Sequence, residues 1–174
     1  MMRTRLLTGF VVLLGLMATS CLKPPEYPET PSIEFKSVRV ERITPTDGST
    51  PFFKPIVTIS FKDGDGDLGI PDNQQTYAPP FDYNYFIEIF IRNPQSGAFE
   101  PLIPGSTGVY DSRFPPLAPT EDKKAPLRGD LEFSVNSNFN VVTYTGAQLR
   151  FTVRIRDRAL NESNTITTDI LTLR

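Results

Sequence analysis

Between Phe61 and Asn73 the chain reads FKDGDGDLGIPDN, which sets Asp63, Asp65 and Asp67 on alternate positions with Gly64 and Gly66 between them. Carboxylates spaced this way in a glycine loop can turn several oxygens toward one point, and calcium takes six to eight oxygen ligands. The same residues also suit a polar turn that ends a strand and keeps its edge soluble. Against the helix-loop-helix calcium pattern the stretch has Leu68 where the sixth-position glycine belongs and Gln74 where the bidentate glutamate belongs. It lies closer to the aspartate-rich repeats of thrombospondin type, with Leu68 inserted before Gly69 and only one copy present.

Other chemistry is bounded by inventory. The 174 residues include no histidine and one cysteine, Cys21, so histidine-activated nucleophiles and zinc held by histidine or several thiolates are excluded. Hydrolysis by a pair of carboxylates stays open, with Asp63, Asp65, Asp67 and Asp157 as its candidates. A second candidate site is aromatic: Tyr77, Phe81 and Tyr83, followed by Phe86, could form a platform for sugar rings or could pack inside the domain. Arg128-Gly129-Asp130 spells an adhesion tripeptide that opens a predicted strand, and chance accounts for a tripeptide of this kind.

The amino terminus carries Arg3 and Arg5, an apolar run from Leu6 to Ala18, and small residues leading to Cys21, the pattern of a secretory signal. As a helix the run spans about 20 Å, short of the ~30 Å hydrocarbon core, which favours a cleaved signal over a retained span. Ala18-Thr19-Ser20-Cys21 resembles the lipobox of bacterial lipoproteins, with alanine at 18 where leucine is usual. That resemblance implies cleavage before Cys21 and acylation of its thiol, leaving a domain held at a bilayer by several acyl chains. Removing residues 1–20 takes away two positive charges, so the net charge of -2 becomes -4, which argues against nucleic acid as a partner.

Residues 21–31 are proline-rich and suit an extended spacer that stands the domain off the membrane. Beyond them, frequent prolines and β-branched residues on alternate positions predict an all-β domain over 32–174. Ile33 and Phe35 alternate, then Val38 and Val40, with a phase slip that a bulge or bend would absorb. Val57, Ile59 and Phe61 make a second strand, and Tyr85, Ile87, Ile89 and Ile91 a third. A turn at 93–97 returns into a strand over about 99–103, and an irregular crossover fills 104–128. Leu131, Phe133 and Val135, then Leu149, Phe151, Val153 and Ile155, and a last strand over about 165–173 bring the total to about seven. Short strands with no amphipathic helix between them point to a single β-sandwich.

DRALNESN, residues 157–164, resembles the D-x-A-x-N-x-S turn before the last strand of many bacterial immunoglobulin-like domains, with Leu160 where those domains usually carry glycine. Together with the acidic stretch and the proline-rich middle, the chain resembles lipoproteins of the Bacteroidetes that carry an immunoglobulin-like β-sandwich. The resemblance implies a fold and an outer-membrane, lipid-anchored location. In such a sandwich the loop after the second strand and the loop before the last strand emerge at one end, which would bring Asp157 and Asn161 to Asp63, Asp65 and Asp67. The resulting expectation is a non-catalytic envelope protein, a binding or accessory module stabilised by calcium, with a glycan or an envelope protein as partner. A carboxylate-dependent glycan hydrolase or a glycan-binding module is the alternative.

Overall fold

The computed structural model describes residues 25–72, 78–105, 108–118 and 124–174. Cys21 and Tyr77 lie outside the described residues, as does the signal segment. Within them, two antiparallel sheets face each other as a β-sandwich. The first holds β1 (Ser32–Ile43), β2 (Phe52–Asp63) and β5 (Leu127–Ser134) in the order β1-β2-β5, with β6 (Phe139–Asn140) also on β2. The second holds β4 (Phe99–Pro101), β3 (Tyr85–Arg92) and β7 (Gln148–Ile155), with β8 (Ile166–Thr167) and β9 (Leu171–Thr172) both on β7. The order is that of an immunoglobulin-like fold, in which the chain crosses between sheets after its second strand and again after its fourth.

Alternation builds the core. Val57, Ile59 and Phe61 of β2 face Tyr85, Ile87 and Ile89 of β3 and Leu149, Phe151, Val153 and Ile155 of β7, all of them buried. The Tyr85 ring stacks on Phe133 of β5 with centroids 4.1 Å apart, tying the two sheets together. The phase slip in β1 is a bulge: Phe35 pairs with Ile59 and Ser37 with Thr58, leaving Lys36 as the extra residue. Lys36 then reaches Asp130 on β5, so the arginine-glycine-aspartate tripeptide lies in a strand with its aspartate engaged by Lys36 and Ser60.

Several boundaries differ from the sequence reading. The return strand β4 covers only Phe99–Pro101, although the Leu102 amide still donates to the carbonyl of Ile89, its next register partner on β3. The final strand is split into β8 and β9 around Thr168, whose buried hydroxyl accepts from the Phe151 amide and donates to the Asp169 carbonyl. A one-turn helix, α1 (Val141–Tyr144), interrupts the all-β pattern; the Asn140 side chain caps it by accepting from Val142 and Thr143.

The spacer also departs from expectation in its second half. Pro31 is buried, and the backbone of Tyr27 and Pro28 lies so close over Gly64 that a Cβ there would overlap both carbonyl oxygens. The chain therefore touches the domain at Tyr27, Pro28 and Pro31 before β1 begins, with the side chains between them exposed. Among the described residues no helix is long and apolar enough to cross a membrane.

Candidate metal centre

The centre is an extension of strand alternation. In β2 the inward positions run Val57, Ile59, Phe61, and the next is Asp63; in β7 they run Phe151, Val153, Ile155, and the next is Asp157. Asp63 and Asp157 are 0% and 1% exposed, so each carboxylate occupies a core-facing slot one step past the last apolar residue. β2 ends beside the start of β1, where Lys62 pairs with Ser32, and β7 ends beside the start of β3, where Ile155 pairs with Tyr85. An isolated antiparallel bridge between Leu68 and Asp157 joins the two loops directly.

Asp63, Asp67 and Asp157 each present one carboxylate oxygen, and these oxygens lie within 4.8 Å of one another. An ion at the middle of such a triangle is at most about 2.8 Å from each oxygen, close to the 2.3–2.6 Å range of calcium–oxygen bonds. The cluster could therefore hold a metal ion. Two of the three carboxylates keep an oxygen without a donor, whereas both oxygens of Asp157 accept from Asn161. Asp63 Oδ2 accepts from the Asp67 amide at 3.1 Å and Asp67 Oδ2 from the Ala159 amide at 3.0 Å. The other oxygens, Asp63 Oδ1 and Asp67 Oδ1, are buried with no donor. An unpaired buried carboxylate oxygen is costly, and a cation is the partner that three converging carboxylates lack.

Electrostatics agree. Burial, followed by the charges of Asp65, Asp67 and Asp157, pushes the Asp63 carboxyl up to about 6. Asp67 is raised by burial and then by Asp157 and Asp65, with the guanidinium of Arg158 acting in the opposite sense. Arg158 is held nearby by donating to the Gly69 carbonyl at 3.1 Å.

The two remaining residues expected here take other roles. Asp65 is buried but turned aside, with Oδ2 paired to Lys124 at 3.0 Å and Oδ1 without a donor. Asn161 steadies Asp157 through both carboxylate oxygens, its amide donating to Oδ1 at 2.7 Å and its side chain to Oδ2 at 2.9 Å. Leu160 adopts φ 69°, so the turn holds a left-handed residue that is not glycine.

A glycine loop of this composition reads as flexible, and here it is clamped. Gly69, at φ 97°, lies under the backbone of Pro115 and Pro116, with no room for a Cβ. The Leu68 carbonyl accepts from Leu117, and the Ile70 amide donates to Phe114. Buried Asn84 fastens that strap by pairing with both the amide and the carbonyl of Phe114. Leu68 itself is fully buried and plugs the core beneath the carboxylates. Asn84, Lys124 and Arg158 were not among the expected site residues. The one local sign of the clamp was an apolar leucine set among acidic and glycine residues.

Of the aromatic candidates, Tyr77 lies outside the described residues. Phe81 and Tyr83 are half-buried, and the Phe86 ring is covered by the guanidinium groups of Arg154 and Arg156 at 4.2 and 4.5 Å. Those arginines also pair with Glu162, and Arg150 stacks over Phe99, so the arginine row lies on the aromatic rings of its own sheet. Comparison with protein families, with curated proteins and with solved structures returned no match.

Proposed function

We propose that this chain is a lipid-anchored protein of the bacterial cell envelope, tethered through Cys21 to the outer membrane, whose immunoglobulin-like sandwich serves as a non-catalytic binding or accessory module. Calcium stabilises the pole of the sandwich nearest the tether, with Asp63, Asp67 and Asp157 as its carboxylate ligands. The observation that carries the calcium reading is the convergence of three carboxylates on two separate strand ends, with buried oxygens that no donor satisfies. A purely structural turn would not place unpaired charge in core-facing slots.

The same burial supports a non-catalytic role over a carboxylate-dependent glycan hydrolase. Acid and base in such enzymes flank a glycosidic bond, whereas Asp63 and Asp157 are almost completely buried. Glycan binding has one separate observation in its favour: a shallow trough of about 300 Å³ on the outer face of β3 and β7, lined by Glu88, Asp111, Thr152 and Arg154 beside Phe86.

Calcium titration of the purified protein, followed by melting temperature and calorimetry, tests the metal reading. Saturable binding with a rise in melting temperature supports it, and no change at millimolar calcium refutes it. Mass spectrometry of the mature amino terminus tests the anchor: acyl chains on Cys21 are expected, and an unacylated terminus or one beginning after residue 21 would refute it. A glycan array combined with a hydrolysis screen on the same polysaccharides separates binding from turnover.

A further inference from the structure

The tether and the metal centre share a loop. Gly64, between Asp63 and Asp65, has the carbonyls of Tyr27 and Pro28 directly against it. On the same loop Asp65 holds Lys124, whose ammonium is stabilised first by Asp65 and then by Glu29 of the tether. The Ala125 amide donates to the Asp65 carbonyl at 3.2 Å, so the segment bearing Lys124 is fixed to the acidic loop as well. We infer that a divalent cation bound by Asp63, Asp67 and Asp157 locks residues 25–31 onto the acidic loop, and that loss of the cation releases them. This rests on the metal reading above.

The physical link is the lack of space at Gly64. Without a cation, like charges in a buried cluster repel and push the loop outward, while a cation draws it in. Because nothing larger than a hydrogen fits between Gly64 and the tether backbone, an outward shift of the loop displaces the tether. Coupling of this kind is reciprocal, so a docked tether also favours the bound cation. The consequence for reach follows from chain length. Tyr27 lies six positions along the chain from Cys21, and Ser32 eleven. A fully extended chain spans about 3.3–3.6 Å per residue, so release lengthens the maximum reach from about 20 Å to about 40 Å.

The test uses the mature protein in detergent and a glutamate-specific protease, which cuts after Glu26 and Glu29. Calcium is expected to slow cleavage at both sites at least tenfold relative to EDTA, while a free peptide of residues 22–34 is cut equally in both. Unchanged cleavage in a protein whose melting temperature does rise with calcium would overturn the coupling and leave the metal reading intact. No rise in melting temperature would overturn both. Gly64→Ala, which forces a methyl group against the tether, should be cut in calcium at the rate seen in EDTA, and a protected G64A would contradict the proposal. If G64A does not fold, Lys124→Gln replaces it: cleavage in calcium several-fold faster than wild type is expected, and wild-type protection would count against the coupling.

Discussion

Replacing Asp63 with asparagine should reverse its effect on stability according to whether calcium is present. Asp63 is fully buried, and its carboxyl is raised from 3.8 to about 6, so the metal-free protein at pH 7.5 carries a charge that the fold disfavours. Two pH units correspond to about 3 kcal/mol, and relaxation of the loop around the buried charge reduces this to about 1–2 kcal/mol. Asp63→Asn removes that penalty and keeps a side-chain oxygen that can accept from the Asp67 amide. In EDTA the variant should melt about 2–8 °C above wild type, given roughly 2–4 °C per kcal/mol for a domain of this size. In calcium at a hundred times its dissociation constant, wild type gains about 2.7 kcal/mol through linkage and the variant gains little. The order of the two melting curves therefore inverts. Thermal melts by circular dichroism in EDTA and in calcium provide the assay. A variant no more stable than wild type in EDTA, with an equal calcium shift, would refute the assignment of Asp63 as a buried, charge-strained ligand.

Further outcomes follow from the same geometry. Because the folded-state value of Asp63 lies above its unfolded value, the fold binds more protons between about pH 4 and 6; metal-free stability should fall as pH rises through that window, and urea melts in EDTA from pH 4 to 7.5 read this. Calcium must displace the same proton, so its apparent affinity measured by calorimetry should weaken below about pH 6. Leu68→Ala should lower stability by about 2–5 kcal/mol, because the plug is fully buried beside Asp157, and should reduce the calcium shift as well. Leu160→Gly should raise stability by up to about 1 kcal/mol in denaturant melts, since glycine adopts the left-handed conformation without the Cβ clash.

Much of the frame could be read directly from residue types. Alternation at 57, 59 and 61 and at 149, 151, 153 and 155 located the two central strands, while the core-facing slots of Asp63 and Asp157, one step further along each, emerged only from the structure. The phase slip in β1 announced its bulge, because a two-residue period cannot change phase without an extra residue. The spacing of Asp63, Asp65 and Asp67 did not reveal that Asp65 would turn toward Lys124, since that depends on the return of a segment about sixty residues later. The clamp over Gly69 was hidden for the same reason: prolines 115 and 116 predict irregular chain, but not where that chain is laid. The short helix after Asn140 was obscured by two valines and a threonine within its four residues, which favour strands unless a cap decides otherwise.

Asn164 carries a consequence of its own. Its side-chain carbonyl accepts from the Ile33 amide and its side-chain nitrogen donates to the Ile33 carbonyl, both at 2.9 Å, so one amide group takes the place of an adjoining peptide at the outer margin of the first sheet. A foreign strand approaching β1 at that point finds both backbone groups already taken, which blocks intermolecular ladder growth where it could begin. Wherever copies of the chain meet at high concentration, this single side chain helps to keep them apart.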